Sequence, residues 1–342
     1  MACAPVLTFT KRGIYCAAGD FYIDPWRPVA RALITHGHAD HARSGHDSYL
    51  ATHSALPVLR HRLGDINAQG VAYNEAVTVG DAQVSFHPAG HVPGSAQIRV
   101  EVAGEVWVAS GDYKVEDDGL SEAFEPVRCH HFITESTFGL PVFRWQPQQT
   151  VADDLNRWWA DCQSAGKTAF LGAYSLGKAQ RLLHMLDSDI GPILTHGAVE
   201  ATNKVLRAQG LTLPDTTQVT RDLNPKDVPG ALVLAPPSAF GSTWAKRFGP
   251  QESAFASGWM QLRGIRRRRG GDRGFVISDH ADWPGLLGAI KETGAERIYV
   301  THGYTDIFAR YLSENGWTAQ VVPTEFEGES LEAQADDVTE TA

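Results

Sequence analysis

The feature that most constrains this chain is a run of histidines that follows a strand-like segment. The run LITHGHADHARSGH, at residues 33–46, holds four histidines in fourteen positions. In an extended segment, residues two apart project to the same side, so His36 and His38 can meet one ion. Asp40 and His41 are shifted in phase and can face a second ion. The pattern H-x-H-x-D-H directly after a strand therefore predicts a metal site in a loop that a sheet supports.

Further polar residues recur in the same kind of place along the chain. His91, Asp112, His280 and His302 each follow an apolar, strand-like run and lie in a turn. Loops at strand ends are where rigid scaffolds place functional side chains. If these strand ends converge, they supply about seven ligands, which is roughly what two metal ions sharing a carboxylate require.

The other histidines have a structural interpretation. A single histidine after a strand is usually a hydrogen-bonded turn residue, and these histidines lack partners at ligand spacing. They are His46, His53, His61, His87, His130, His131, His184 and His196.

Hydrophobic periodicity divides the chain into segments of different character. Short β runs fill residues 1–147, helix and strand alternate over 148–269, and an α/β unit closes the chain from 270 to 325. This pattern predicts one α/β domain at 1–147 and 270–325, interrupted by a smaller α/β domain at 148–269. Residues 326–342 are acidic and predicted to be disordered.

The composition favours a soluble, cytoplasmic protein. No apolar stretch approaches the roughly 20 residues that span a bilayer, and basic residues follow the first apolar run instead of preceding it, which is not the order of a signal peptide. The four cysteines are scattered, so we expect reduced thiols.

The net charge of −10 argues against a nucleic-acid partner only at first sight. Seven of the acids lie in the last 18 residues, which leaves 33 acids against 30 bases elsewhere. The segment 263–273, RGIRRRRGGDR, holds six arginines. Two interpretations stay open: these arginines grip phosphates, or they form a solvated loop. The candidates for phosphate contact are Arg263, Arg266, Arg267, Arg268 and Arg269.

The segment GAYSLGKA, at residues 172–179, resembles a phosphate-binding loop, but Ala179 replaces the serine or threonine that would hold Mg²⁺. Nucleotide hydrolysis is therefore not favoured. Lys178 remains a candidate for phosphate contact, together with the helix N-terminus.

Six short motifs occur in an order that closely resembles the metallo-β-lactamase-fold nucleases of the β-CASP group. They are THGHADH, AGHVPGSA, SGDY, TESTFG, SDHAD and VTHG. The resemblance covers nearly the whole chain. Residues 15–46 resemble most closely a bacterial subgroup, the ligase-associated DNA exonucleases, which occur with ATP-dependent DNA ligases and helicases. The resemblance implies an αββα sandwich of the metallo-β-lactamase fold, interrupted by a short α/β cap similar to the β-CASP domain.

The resemblance also implies roles for the residues that match the motifs. The metal ligands would be His36, His38 and His91 for the first ion, Asp40, His41 and His302 for the second, and Asp112 between the two. An all-nitrogen and oxygen ligand set suits Zn²⁺ or Mn²⁺.

Other matched residues would act around the ions. Asp24 would orient the loop that carries the ligands through hydrogen bonds, without binding an ion itself. Asp40 and Asp112 would count among the catalytic groups as well as the ligands. His280 would donate to the phosphate or protonate the leaving oxygen, with Glu135 orienting it. Ser95 is a further candidate for substrate contact.

Together these implications describe a metal-dependent DNA exonuclease that hydrolyses phosphodiester bonds with a hydroxide activated between two ions. It would act in DNA repair with a ligase, on single strands or frayed ends, and 5′→3′ polarity is favoured by analogy with crosslink-repair relatives. The alternative is an RNA-processing nuclease of the RNase J type. A small-molecule metallo-hydrolase and a non-catalytic scaffold are lower alternatives, because Glu135, His280 and the complete ligand set argue against them.

Overall fold

Residues 5–269, 271–322 and 324 are described by a computed structural model. Their contacts divide the chain into two units. The first unit ends at Phe143 and resumes at Asp279, and the second unit is Arg144–Ser278.

Two sheets form the body of the first unit. The first sheet contains, in spatial order, β1 (Leu7–Thr10), β2 (Gly13–Cys16), β3 (Phe21–Ile23), β4 (Arg31–Leu33), β5 (Ser48–Thr52) and β6 (Ala68–Val71). The second sheet contains, in spatial order, β19 (Thr318–Val321), β18 (Arg297–Gly303), β11 (His131–Ser136), β10 (Glu105–Ala109), β9 (Ala96–Val102), β8 (Ala82–Pro88) and β7 (Val77–Val79).

The two sheets pack face to face through alternating apolar side chains. Val84 and Phe86 of β8 and Ile98 of β9 are fully buried, and they share one core with Phe21 and Leu33 of the first sheet. Because side chains alternate along a strand, the apolar side chains on the opposite face of each sheet must be buried by other elements.

Helices cover the two outer faces. Helix α1 (Leu56–Leu63) packs on the first sheet, while α6 (Trp283–Thr293) and α7 (Thr305–Glu314) pack on the second. Asp282 caps the N-terminus of α6, where its carboxylate accepts the Gly285 N–H, and Gly294 caps the C-terminus in the left-handed region with φ of 64°. The first unit is therefore a four-layered mixed α/β structure, with helices outside two sheets.

The second unit contains a six-stranded sheet in which every pairing is parallel. In spatial order its strands are β14 (Thr217–Gln218), β13 (Ile193–Thr195), β15 (Leu232–Ala235), β12 (Thr168–Gly172), β16 (Gln251–Ala256) and β17 (Arg273–Phe275). Its helices are α2 (Gln148–Ser164), α3 (Lys178–Met185), α4 (Gly197–Ala208) and α5 (Arg263–Arg269). Single 3₁₀ turns occur at Pro225–Asp227, Pro237–Ala239, Ala245–Phe248 and Gly258–Gln261.

The beginning of the segment 270–325 lies in the second unit, where Arg273–Phe275 forms β17 and pairs with β16. A short parallel strand is joined to its sheet by backbone hydrogen bonds, so its side chains do not reveal which sheet it enters. The arginine run also differs from the open-loop interpretation, because Arg263–Arg269 is helical. The acidic segment 326–342 lies outside the described residues.

Two further observations concern the described residues. Cys16, Cys129 and Cys162 are buried free thiols. Every helix in this part of the chain is too short or too polar to cross a bilayer.

Candidate metal centre

The loop after β4 is fixed by one partly buried carboxylate. Asp24 adopts a left-handed backbone conformation with φ of 42°, which aspartate tolerates better than most residues. Its carboxylate accepts the Thr35 N–H at 2.8 Å, the Thr35 hydroxyl at 2.5 Å and the Nδ1–H of His41 at 2.8 Å. Asp24 therefore sets the course of the segment that carries the clustered histidines.

Several other strands end near this loop. Strands β10, β11 and β18 are parallel neighbours, so their carboxyl ends lie at the same edge of the second sheet. Asp112 follows β10, Glu135 lies near the end of β11, and His302 lies near the end of β18. His91 follows β8. The topology thus brings residues distant in sequence to one edge of the first unit.

Asp112 lies at the centre of the cluster. Its Oδ2 is 3.3 Å from Nε2 of His41, 3.6 Å from Nε2 of His36 and 3.9 Å from Nε2 of His91. All four side chains are almost fully buried. A carboxylate surrounded by imidazole nitrogens is the arrangement expected of a shared metal ligand.

The remaining members of the run divide between two sides of Asp112. Nδ1 of His38 is 2.9 Å from Nε2 of His91, and Oδ2 of Asp40 is 3.7 Å from Nε2 of His41. Three groups able to hold a metal ion share the central carboxylate. Two of them draw on the histidine run: His36, His38, His91 and Asp112 on one side, and Asp40, His41 and Asp112 on the other. The third consists of Asp112, Glu135 and His280.

Hydrogen bonds orient three of the imidazoles. Nδ1–H of His36 donates to the Thr35 hydroxyl at 3.1 Å, and Nδ1–H of His91 donates to the Asp279 carbonyl at 2.8 Å. His41 uses its Nδ1–H on Asp24. A neutral imidazole that donates from Nδ1 presents a lone pair at Nε2, so the rings of His36 and His91 turn an acceptor nitrogen toward Asp112.

Unpaired buried atoms show what the cluster lacks. Nε2 of His36, Nε2 of His41 and Oδ1 of Asp112 are buried and have no hydrogen-bond partner among the described residues. Leaving such atoms unpaired costs roughly 1–3 kcal/mol each. A divalent cation with nitrogen and oxygen ligands would satisfy all three atoms, so the residues present fit the group that the sequence implies.

Burial and the neighbouring charges keep His36 and His91 neutral, which is the form of imidazole that binds a metal ion. Burial, followed by the neighbouring imidazoles, holds the pKa of His36 and the pKa of His91 well below their ordinary value. Burial opposes a charge on His41 as well, but Asp112 and Asp40 outweigh it and raise the pKa of His41 well above the ordinary value. Burial also opposes ionisation of Asp112, yet His41 and His280 hold its pKa well below the usual range.

His302, near the end of β18, lies beside the cluster and has an uncommon backbone conformation. Its φ is 52°, in the left-handed region that non-glycine residues rarely adopt, and the Ser136 hydroxyl donates to its carbonyl at 2.5 Å. The centroid of its ring lies 5.2 Å from that of His41. Strained backbone of this kind concentrates at functional sites, which agrees with the position of His302 beside the cluster.

A second pair lies next to the cluster. Nδ1–H of His280 donates to the Glu135 carboxylate at 2.8 Å, and the Tyr113 N–H donates to the same carboxylate at 2.8 Å. The ring of His280 is 4.6 Å from that of His91 between centroids. Glu135 thus fixes the imidazole and leaves its Nε2 on the side away from the carboxylate.

The remaining predicted residues are placed differently. Ser95 is 1% exposed, and its hydroxyl accepts the N–H groups of His91 and Val92. Ser95 therefore stabilises the turn that carries His91, and its hydroxyl is not exposed to solvent. Lys178 is also 1% exposed, with its ammonium 4.5 Å above the Tyr174 ring. Both side chains are engaged inside the protein.

Sequence reasoning missed two groups that orient the ligands. Thr35 links Asp24 to His36 through its hydroxyl, and the backbone carbonyl of Asp279 holds His91. The carbonyl carries no side-chain signal at all. Thr35 adjoins the histidine run, and a hydroxyl directly before a ligand was the one available indication.

No family model matches the chain. Over 317 residues, 91% of the chain, it is 29% identical to a probable DNA ligase from Opitutus terrae, of which the match covers 30%. It is 33% identical to endoribonuclease ysh-1 of Neurospora crassa over 122 residues, 35% of this chain and 14% of that protein. It is 27% identical to endoribonuclease YSH1 of Mycosarcoma maydis over 203 residues, 47% of this chain and 22% of that protein. The chain therefore spans less than a third of the length of each of these relatives.

A solved structure shares the fold. It is the crystal structure of a protein of unknown function from Enterococcus faecalis V583, with a TM-score of 0.60 and 12% identity. The superposition covers 86% of this chain and 79% of that one. At this identity the likeness concerns the fold alone.

Proposed function

We propose that the protein is a metal-dependent nuclease that hydrolyses phosphodiester bonds with the cluster around Asp112. The observation that carries the proposal is the joint placement of two candidate metal groups and the Glu135–His280 pair. A metal cluster alone suits many hydrolyses on one fold. The adjacent, oriented imidazole supplies the general acid that a phosphodiester leaving group needs.

In this proposal His36, His38 and His91 hold one divalent ion, and Asp40, His41 and His302 hold the other. Asp112 serves both. Two such ions supply Lewis acidity that makes a nucleophile available at neutral pH and offsets charge on the phosphate. Zn²⁺ and Mn²⁺ both suit these ligands.

The protein groups have separate tasks around the phosphate. Asp24 and Thr35 keep the ligand loop in place, so the ligand atoms need no rearrangement during the reaction. His280 protonates the leaving oxygen from Nε2, while Glu135 stabilises the charged imidazole through Nδ1. Burial of the pair strengthens that hydrogen bond.

The relatives support the nuclease class. One carries the name of a DNA ligase and two carry the name of an endoribonuclease. Together with the six sequence motifs, these names favour a nuclease of the metallo-β-lactamase fold, with the first unit as the catalytic domain and the second unit as a β-CASP-like cap.

For the substrate we propose DNA, cleaved exonucleolytically from single strands or frayed ends, with 5′→3′ polarity, in repair alongside an ATP-dependent ligase and a helicase. The match over 91% of the chain to a protein named as a ligase favours this choice. The matches to endoribonucleases favour RNA cleavage by the same centre as the second candidate.

The test is digestion of 5′-labelled and 3′-labelled single-stranded and double-stranded DNA, and of the matching RNA, with Zn²⁺ or Mn²⁺. We expect mononucleotide release from DNA, and at least about a 100-fold loss in the Asp40→Ala/His41→Ala variant. The matched control is Asp65→Ala/His61→Ala, which removes the same residue types from exposed positions.

The outcomes separate the candidates. Faster release from RNA than from DNA would select the second candidate. If the wild type releases no more nucleotide than Asp40→Ala/His41→Ala on any of these substrates, the nuclease proposal fails.

A further inference from the structure

The second unit contains an open cleft lined by arginines. The cleft has a volume of about 880 Å³ and lies between the start of α2 and the α5–β17 segment. Its charged lining residues are Arg263, Arg266, Arg267, Arg273, Asp154 and Asp272. We call it the arginine cleft. Its lining leaves out Arg268 and Arg269, so the helix presents only part of its charge to the cleft.

Three of these arginines have their charges available. Arg263, Arg266 and Arg267 are exposed on α5. None of the three makes a side-chain hydrogen bond or ion pair with another described residue. Arginine keeps its charge at any ordinary pH, so the cleft carries three cations that no described residue neutralises.

The fourth arginine is fixed in position. Arg273 is 3.5 Å from Oδ2 of Asp154, and its guanidinium lies 4.9 Å from the centroid of the Phe275 ring. Gly274 allows the chain of Arg266 to approach, because a Cβ there would lie 2.9 Å from its Cγ. One guanidinium thus has an ion pair and a ring contact, beside three that have no side-chain partner among the described residues.

The acids of the cleft are already engaged. Asp154 also accepts from Arg157 at 2.9 Å, and Asp272 accepts the N–H and the hydroxyl of Ser253, both at 2.8 Å. Four arginines against two aspartates leave the cleft with an excess of two positive charges. A ligand with several negative charges would complement it.

We infer that the arginine cleft binds the sugar–phosphate backbone of single-stranded nucleic acid. Planar guanidinium groups match phosphate oxygens, and several of them in one concavity match a repeating phosphate chain. A cleft of this volume takes a few units of an extended ligand, whereas a duplex needs a broad surface. The inference rests on the proposed function for the choice of nucleic acid as the ligand.

The experiment measures binding of the full chain to fluorescein-labelled oligo-dT and oligo-rU, by anisotropy, with a chelator present and over a series of salt concentrations. The test variant is Arg266→Gln/Arg267→Gln. The control is Arg221→Gln/Lys226→Gln, which removes the same charge from exposed positions of the second unit outside the cleft. Thermal unfolding verifies that both variants fold.

We expect the slope of log K against log salt to fall by about 1.4 in the test variant, since each phosphate contact on a single strand contributes about 0.7. Both oligonucleotides should show this fall, because phosphates are common to both. The control should change the slope by less than half as much. Equal changes in the two variants, or an unchanged slope in the test variant, would overturn the inference.

Hydrolysis of bis(p-nitrophenyl) phosphate by the wild type tests the catalytic centre separately, because this small diester needs no strand contact. If the wild type leaves this diester and the DNA and RNA substrates intact with every metal, the proposed function fails, while the slope comparison still decides whether the cleft binds strands.

Discussion

Two buried polar clusters in this molecule contrast in how completely their hydrogen bonds are satisfied. One is the cluster around Asp112 in the first unit, which combines histidines with carboxylates. The other, the Glu200 network, lies in the second unit and joins a carboxylate to hydroxyl, amide and guanidinium groups. Both are buried and both are polar, yet only the first keeps unpaired atoms.

The Glu200 network pairs its own members. Glu200 accepts from Thr195 at 2.8 Å, from Thr216 at 2.7 Å and from Arg207 at 3.0 Å. Asn203 adds a longer bond at 3.4 Å. Arg207 extends to the Pro214 carbonyl and the Thr216 hydroxyl, at 2.7 and 2.9 Å. The network therefore contributes to stability without any added group.

The Asp112 cluster cannot be completed in the same way. Its neighbours are other ligands, and its inner atoms, Nε2 of His36 and Oδ1 of Asp112, have no partner in the described chain. Burial of polar groups alone therefore does not mark a functional site. The Asp112 cluster differs because several unpaired atoms of ligand type surround one carboxylate.

The largest effect should follow removal of the central carboxylate. Asp112→Asn takes a charge from every candidate metal group, and we expect nuclease activity to fall on the order of 10⁴-fold, because several kcal/mol of charge stabilisation are lost. Initial rates at saturating metal measure this. Glu200→Gln is the counterpart in the other cluster, and activity per folded molecule should stay within about threefold of the wild type. Similar losses in both variants would erase the contrast.

The next effect concerns the acid beside the cluster. His280→Ala should reduce activity on the order of 10³-fold, in the range for loss of a general acid. Its metal content, measured by mass spectrometry of the dialysed protein, should match the wild type, since His280 is assigned to the substrate and not to an ion. Metal loss in this variant would move His280 into the ligand set.

Metal addition should stabilise one cluster and not the other. At a free Zn²⁺ concentration 100 times the Kd, linkage predicts about 2.7 kcal/mol of added stability. Thermal unfolding with and without metal should show this gain in the wild type and in Glu200→Gln, and a much smaller gain in Asp112→Asn. An equal gain in all three proteins would place the metal elsewhere.

The smallest effect should be on stability alone. Glu200→Gln should lower the free energy of unfolding by about 1–3 kcal/mol at pH 7, because buried partners lose a charged acceptor. Although burial opposes ionisation, hydrogen bonds from Thr216 and Thr195 lower the pKa of Glu200. A carboxylate with a lowered folded-state pKa stabilises above its unfolded pKa, and this contribution is lost as pH falls through the folded value.

The difference in free energy of unfolding between Glu200→Gln and the wild type should therefore become smaller in acid. Denaturant unfolding of both proteins at pH 7 and near pH 4 measures the difference between their free energies of unfolding at each pH. A difference that is larger at the lower pH would contradict the assignment of Glu200 as the charged centre of its network.

The sequence predicts the core of the Asp112 cluster because the signal is local. His36 and His38 are two apart in an extended loop, and each distant candidate follows an apolar strand. Groups that act through the backbone leave no such signal, as the Asp279 carbonyl shows. Ser95 illustrates another limit: a hydroxyl beside a ligand can cap the turn instead of facing the substrate, and sequence does not distinguish the two.

The fold was predictable where periodicity is strong and less so where charge interrupts it. The alternating strands and helices of both units follow from hydrophobic spacing. The helix at Arg263–Arg269 could not be predicted, because successive arginines show no apolar stripe. Which arginines share a cleft with Arg273 depends on how α5 packs against β17, and that is a tertiary property.

The central claim is that the Asp112 cluster is a metal centre, and the stoichiometry of bound metal tests it most directly. The full chain is dialysed against Zn²⁺ or Mn²⁺, freed of unbound ions and analysed by mass spectrometry for metal per chain. We expect about two ions per wild-type chain and fewer than about one in Asp112→Asn. A wild-type chain with less than one ion, or an Asp112→Asn variant that retains as much metal as the wild type, would contradict it.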